Sequence, residues 1–196
     1  MVKTTSMVKA NSALLVMDIQ RDVVRIADDG SGYLARLKGA IAGARAAGIP
    51  VIYVVMRLRP GQPEVSPRNR TLATVLQAGL FTEGDPGTEI HDDVAPRPGD
   101  IVVTKRRASA FSGSDLDSVL RARDINSLVL AGIATSAVVL HTLCQANDLD
   151  FGLTVLSDAC LDLDPEVHRF LIGKLFPQWA EVVTVEDWVG SLAQSG

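Results

Sequence analysis

The chain has 196 residues, of which 47% are hydrophobic and 21% are charged, and its formal net charge is −4. This length and apolar content favour one domain, residues 1–196, with a single sizeable core. The acidic balance and the lack of a basic run interleaved with aromatic residues argue against nucleic-acid binding. A small molecule is therefore the expected partner.

Targeting and cysteine signals are weak. No apolar stretch reaches the roughly 20 residues of a membrane span, and residues 1–10 read as a flexible tail with no apolar signal segment. We therefore expect no membrane partner and a cytoplasmic protein. Cys144 and Cys160 are too few for a disulfide scaffold and lack the spacing of zinc ligands, so both are expected to be reduced and buried.

Six short runs rich in Val, Ile and Leu predict β-strands that are buried on both faces. The runs are 13–17, 50–56, 101–104, 127–131, 153–156 and 181–184. Helical periodicity lies between them, at 33–47, 114–122 with Ser114 as the cap, 135–149, and 165–174 after Asp164. This alternation predicts a three-layer α/β/α domain with a Rossmann-like, mainly parallel six-stranded sheet.

One stretch breaks the alternation. Residues 57–100 hold most of the prolines and one short helical piece near 71–78. We interpret this stretch as a long excursion over the strand ends, where loops commonly carry substrate contacts.

Polar residues follow three of the apolar runs. Asp18 ends the first and Lys105 ends the third, while Gly132 begins a turn after the fourth. Since ligands bind beyond the carboxyl ends of parallel strands, these breaks predict one pocket with an acid, a base and a helix start. A buried lysine needs a counter-ion, and Asp18 is its natural partner. Read alone, Asp18 could instead cap a turn.

The turn at 132–138 leads into the helix predicted through residue 149. Backbone N–H groups at a helix start bind anions or a developing oxyanion. An ordinary turn capped by Thr135 or Ser136 would explain the same residues.

Four segments together resemble one family. They are LLVMDIQ at 14–20, TKRRASAF at 104–111, GIATS at 132–136 and SDAC at 157–160. In this order they are similar to the isochorismatase-like hydrolases, or cysteine hydrolase superfamily, which includes nicotinamidases, carbamoylsarcosine amidases and isochorismatases. The resemblance covers nearly the whole chain.

The resemblance implies roles for individual residues. Asp18 and Lys105 would be catalytic, Phe111 would line the substrate pocket, and the backbone at Ala134 and Val138 would face a developing oxyanion. The bond between Ile133 and Ala134 would be cis. Members of the family usually form homodimers or homotetramers, and we expect the same here.

The chain departs from the family where amide-hydrolysing members carry their nucleophilic cysteine. Their pattern Gly-x-x-Thr-x-x-Cys-Val places that cysteine at Val138, which cannot attack a carbonyl. Cys144 lies six residues on, about 240° around the predicted helix, so it should not substitute. Thr135 and Ser136 carry hydroxyls, but the sequence shows no histidine base beside either.

Metal binding is not expected either. Nicotinamidase-like members carry an Asp-x-His pair where residues 54–59 read VVMRLR. His91 and His168 are isolated in the sequence, and neither has a neighbouring ligand at metal spacing. We therefore expect no metal and no cofactor.

The first hypothesis is a metal-free hydrolase of a small, anionic molecule. Isochorismatases in the family also lack the cysteine and protonate a vinyl ether with the Asp that matches Asp18, with Lys105 orienting that acid. The segment 57–70 resembles their substrate loop, so Gln62 and Arg70 are expected to contact the substrate, together with Ser136. True isochorismatases carry an aromatic residue and a histidine at the positions of Ala134 and Ser136.

Two alternatives stay open. A catalytically inactive relative could have kept the pocket to bind a metabolite or a protein partner, because the Val138 side chain fills the space of a nucleophile. A covalent amidase would need another nucleophile, for which Ser136 is the candidate. The hydrolase predicts that Asp18→Asn abolishes turnover and spares folding.

Overall fold

The computed structural model describes residues 11–27 and 30–193, so the tail predicted at 1–10 lies outside the described residues. Its centre is a six-stranded sheet in which every neighbouring pair of strands is parallel, in the order β3-β2-β1-β4-β5-β6. The strands are β1 Ser12–Met17, β2 Val51–Met56, β3 Ile101–Lys105, β4 Ser127–Ile133, β5 Gly152–Leu161 and β6 Glu181–Val183. The predicted fold class is confirmed.

Helices connect the strands. They are α1 Arg21–Ala27, α2 Tyr33–Ala46, α3 Arg70–Gln77, α4 Leu116–Ala122, α5 Leu140–Asp148, α6 Pro165–Phe170 and α7 Val185–Ala193. Single π-helical turns, Thr135–Val139 and Leu171–Leu175, precede α5 and follow α6. The helical patterns had predicted neither α1 nor α7. None of the described helices is long and apolar enough to cross a membrane.

Asp164 and Ser114 both lie at the start of a helix. The Asp164 carboxylate accepts hydrogen bonds from the backbone N–H groups of Glu166 and Val167, so it caps α6. Ser114 was predicted to cap α4, but the helix begins two residues later and Asp115 occupies the cap position. The Ser114 hydroxyl still accepts from the Leu116 amide, at 3.3 Å.

The core has two halves, one on each face of the sheet. Successive residues of β1 point to opposite faces, so Leu14 packs with Leu37 of α2 and Trp188 of α7, while Leu15 packs with Leu116 of α4 and Leu143 of α5. Every residue of β1 is buried. This burial explains why the sequence of β1 reads as a continuous apolar run.

Burial on both faces was a wrong prediction for the outer strands. β3 and β6 each pair with one neighbour only, and Val102 in β3 is 45% exposed. Cys144 is also exposed, against the prediction that both cysteines are buried. It lies on the outer side of α5, whereas Cys160 is buried against β4, and burial raises the pKa of its thiol to about 12.

The strand order reverses at β1. From β1 the chain builds outward through β2 to β3, then returns to the other side of β1 with β4 and continues to β6. Such a reversal opens a crevice between the carboxyl ends of the two strands that flank it. Here those strands are β1 and β4, which end at Met17 and Ile133.

Candidate active site

A buried ion pair lies at the carboxyl edge of the sheet. Lys105 Nζ at the end of β3 is 2.9 Å from Asp18 Oδ2, just beyond β1, and their side chains are 1% and 8% exposed. Lys105 Nζ also donates to the carbonyl oxygen of Arg107, at 3.0 Å. The structure therefore brings together the acid and the base that the sequence placed on separate strand ends.

Asp18 combines an unusual backbone conformation with a buried carboxyl. Its φ of 56° lies in the left-handed region, which Asp and Asn tolerate best among residues with a side chain, and its N–H donates to the Val54 carbonyl oxygen. Burial raises the pKa of Asp18, and the Lys105 ammonium opposes part of that rise. Among the described residues, the buried Asp18 Oδ1 has no hydrogen-bond partner.

Gln20 is a supporting residue to which sequence reasoning assigned no role. Its Nε2 donates to the carbonyl oxygens of Met56, at 2.9 Å, and Thr88, at 2.7 Å. Its Oε1 accepts from the Met56 N–H at 3.1 Å. The fully buried amide thus joins the ends of β1 and β2 to the excursion. The signal that could have found it is its place two residues after Asp18.

The turn after β4 has the expected cis bond between Ile133 and Ala134. Val138 follows within the π-helical turn and is 1% exposed, packed in the core on the α4 and α5 side of the sheet. The N–H of Ser136 is occupied, because it donates to Asp162 Oδ2 at 2.6 Å. This turn is therefore held from the side of β5.

Thr135 does have a histidine beside it. Its Oγ1 lies 2.8 Å from Nδ1 of His168 on α6, although 33 residues separate the two in the chain. The expectation that Thr135 has no histidine beside it was therefore wrong. Strand β5 is responsible, since it pairs with β4 and delivers α6 to the same edge of the sheet.

Phe111 lies mostly inside the core. It is 9% exposed, belongs to the core, and its ring centroid is 5.9 Å from that of Phe151. Hydrogen bonds from Ser109 Oγ to Gln145 Oε1 and from the Ala110 N–H to Thr142 Oγ1 fix its loop against α5.

The four arginines of residues 57–70 divide into two groups. Arg57 pairs with Glu89 at 3.0 Å and Arg59 with Glu64 at 3.5 Å, so acids already neutralise these two. Within residues 11–27 and 30–193, Arg68 and Arg70 form no ion pair. Both line an open cleft of about 600 Å³, whose other lining residues are Ser66, Asn69 and Arg107.

A second cleft, of about 640 Å³, continues from Arg107 and Ser109 along α5, where His141 and Cys144 line it. Neither cleft is lined by Asp18, Lys105 or Gln62. The backbone of Arg107 accepts a hydrogen bond from Lys105, and its side chain lines both clefts. Arg107 therefore contacts the buried pair and also lines both surface clefts.

Metal ligands are not assembled in the part of the chain that is described. No three His, Cys, Asp or Glu side chains there are grouped so that they could hold an ion.

Comparison with known proteins agrees with this geometry. A ureidoacrylate amidohydrolase, RutB, from Agrobacterium fabrum is 35% identical over 178 residues, which cover 84% of this chain and 78% of that protein. An N-carbamoylsarcosine amidase from Thermoplasma acidophilum superposes with a TM-score of 0.74 at 28% identity, over 90% of this chain and 97% of that one.

A cysteine hydrolase from Pseudomonas syringae pv. phaseolicola has the same fold, with a TM-score of 0.85 at 23% identity over 97% of this chain and 96% of that one. The isochorismatase domain matches residues 12–187, from the start of β1 into α7. With the buried Asp–Lys pair and the turn after β4, this match means that the chain belongs to the isochorismatase domain family of hydrolases.

Proposed function

We propose that the chain hydrolyses a small anionic molecule by acid–base chemistry of Asp18 and Lys105, without a metal and without a covalent cysteine intermediate. The observation that carries the proposal is the buried ion pair, 2.9 Å across, with one Asp18 oxygen left unbonded among the described residues. Perturbed titratable groups of this kind cluster at catalytic sites.

Asp18 supplies the proton in this mechanism. Because burial raises the pKa of Asp18, the carboxyl holds its proton to higher pH than an exposed aspartate does. It protonates the substrate at the bond to be cleaved, and water then adds to the cationic centre. The Lys105 ammonium stabilises the carboxylate that is left, and the final proton returns to Asp18 from the attacking water.

Arg68 and Arg70 attract the anionic part of the substrate. Their guanidinium groups have no acidic partner within the described ranges, and both face the cleft at Arg107. Guanidinium groups bind carboxylates through charge-assisted hydrogen bonds. We further propose that Gln62 and Ser136 contact the substrate, that Phe111 forms the apolar floor, and that the backbone of Ala134 and Val138 faces the reacting atoms.

The substrate class follows from these groups. The Agrobacterium relative is named for ureidoacrylate, which carries a carboxylate at one end and a carbamoyl group at the other. A carboxylate suits the arginine cleft equally well here. At the other end, Val138 provides no thiol to attack a carbonyl, so the bond cleaved is one that yields to protonation and water.

A second candidate function is binding without turnover. Val138 is 1% exposed and fills core space, and neither surface cleft reaches Asp18. A protein that kept the arginine cleft and lost the nucleophile would bind an anionic metabolite and release it unchanged.

One experiment separates the two functions. The purified protein is incubated with isochorismate, ureido acids, carbamoyl compounds and primary amides, beside Asp18→Asn and a control, Asp117→Asn, which breaks an exposed ion pair with Arg121. Product formed by wild type and the control but not by Asp18→Asn supports the hydrolase. A panel compound that binds but is never converted supports the binding function.

A further inference from the structure

Two side chains from the end of β5 and from α6 hold the turn after β4. His168 Nδ1 lies 2.8 Å from Thr135 Oγ1, and Asp162 Oδ2 accepts the Ser136 N–H at 2.6 Å. Asp162 is itself fixed, because its Oδ1 accepts the Asp164 N–H. The two bonds hold Thr135 and Ser136, consecutive residues of the turn that leads to Val138, and so fix the position of this turn's backbone.

Burial decides the direction of the hydroxyl bond. Thr135 has no exposed surface, so its hydroxyl hydrogen needs an acceptor inside the protein. Nδ1 of a neutral imidazole accepts only when the ring proton is on Nε2. In the imidazolium form Nδ1 becomes a donor, and the Thr135 hydrogen is left without this acceptor.

The surroundings of His168 favour the neutral ring. Burial lowers the pKa of His168, Asp162 opposes that shift from the end of β5, and Arg169 on the same helix adds to it. The turn Thr135–Val139, which packs against α6, carries no ionisable side chain. Asp162 and Arg169 are therefore the charges that tune the ring.

We propose that His168 is a positioning residue of this site. As the Nε2–H tautomer, its Nδ1 accepts a hydrogen bond from the Thr135 hydroxyl and so fixes the turn 134–136 beside Asp18. This inference rests on the proposed hydrolase function. Protonation of His168 removes the acceptor of the Thr135 hydrogen bond, and kcat/KM then falls on the acid side of the pH profile. The proton on Asp18 controls the opposite, alkaline side.

Three variants test the role. In His168→Asn the amide oxygen takes the place of Nδ1 and does not titrate, whereas His168→Leu has no acceptor at all. His91→Asn is the control, since His91 caps the short turn Asp92–Val94 and lies outside the site. Rates are measured on the substrate that the panel identifies.

For His168→Asn we expect activity near that of wild type at neutral pH and no decline in acid. His168→Leu should lose roughly tenfold in kcat/KM at neutral pH, the effect of one buried hydrogen bond, and this difference from wild type should shrink in acid, where the wild-type ring loses the same bond. The His91→Asn profile should match wild type. An acid limb that persists in His168→Asn overturns the proposal.

A measurement without substrate keeps this test separate from the hydrolase itself. Nitrogen-15 NMR should show His168 as the Nε2–H tautomer, and hydrogen exchange at the Ser136 amide, corrected for intrinsic pH dependence, should accelerate as the ring is protonated. The acceleration should be absent in His168→Asn. An Nδ1–H tautomer of His168 would refute the positioning role even if the protein is an active hydrolase. So would a corrected Ser136 exchange rate that does not change when His168 is protonated.

Discussion

Asp18 and Lys105 stand 2.9 Å apart with almost no contact with solvent, although one follows the central strand β1 and the other ends the edge strand β3. Removing one partner of a buried pair leaves the other charge uncompensated, at a cost of about 3–5 kcal/mol in the free energy of unfolding. Urea unfolding of Asp18→Asn, Lys105→Met and the double variant measures this coupling. The double variant should lose less than the two single variants together, and simple additivity would show that the pair is not coupled.

Asp18→Asn should remove activity while the chain still folds. Asn tolerates the left-handed backbone at this position, so the change takes away the proton and the charge without straining the turn. We expect kcat/KM to fall by at least about 10²-fold, the usual contribution of a general acid. Circular dichroism of both proteins checks the fold, and an active Asp18→Asn protein would exclude Asp18 as the acid.

The pH dependence of kcat/KM for the wild-type protein also tests whether Asp18 is the general acid. An acid must hold its proton, so kcat/KM should fall as the pH rises through the pKa of Asp18, which burial places above the ordinary value. A rate that instead rises through this pKa would make Asp18 a general base. The measurement is a pH profile of kcat/KM at constant ionic strength.

Arg68→Gln and Arg70→Gln should each raise KM for an anionic substrate by roughly threefold, since exposed charges contribute modestly. Added salt should shrink the difference from wild type. Arg59→Gln is the matched control, because Glu64 already neutralises that guanidinium. Equal KM values in all three variants would show that the cleft does not recognise the anion.

Val138→Cys should introduce a reactive thiol where amide-hydrolysing relatives carry theirs. The two side chains have similar volumes, so the stability change should stay below about 1.5 kcal/mol. Intact-protein mass spectrometry with carbamoyl substrates should detect a covalent adduct on this variant. Val139→Cys, equally buried one residue on, should show none. Equal labelling of both variants would mean that position 138 has no special access to substrate.

Gly132→Ala should destabilise the protein by about 1–3 kcal/mol. A Cβ at this position would lie 2.6 Å from the Met17 carbonyl oxygen, which is backbone and cannot swing away. Gly190→Ala in α7 is the control, where the added methyl meets nothing within 4 Å and should stabilise the helix by about 0.5–1 kcal/mol. Urea unfolding compares the two, and equal stabilities would contradict the tight contact of β1 with β4.

The sequence predicted the sheet and the Asp18–Lys105 meeting because both depend on local signals. Apolar runs mark buried parallel strands, and the carboxyl ends of such strands share an edge. The runs do not reveal which strand lies outermost, since that depends on strand order, so the exposure of Val102 was missed. α1 was missed because seven residues present too little periodicity.

The Thr135–His168 contact shows a different limit. It depends on β5 lying beside β4, on the length of β5 and on the angle at which α6 leaves it. A separation of 33 residues carries no periodic pattern. The same holds for Arg68 and Arg70. The sequence does not show which arginine Glu64 pairs with, because Glu64 lies between Arg59 and Arg68 in the chain.

The placement of Lys105 on an edge strand makes the site sensitive to local breathing of the sheet. Among the described strands, β3 pairs only with β2, whereas β1, β4 and β5 each pair on two sides, so β3 has fewer backbone bonds to lose in a local opening. We expect each such opening to draw the Lys105 ammonium away from Asp18, and without it the buried carboxyl, whose pKa burial raises, should hold its proton to still higher pH. The rate of amide hydrogen exchange along Ile101–Lys105 should therefore report how often β3 opens and Asp18 loses Lys105 as its counter-ion.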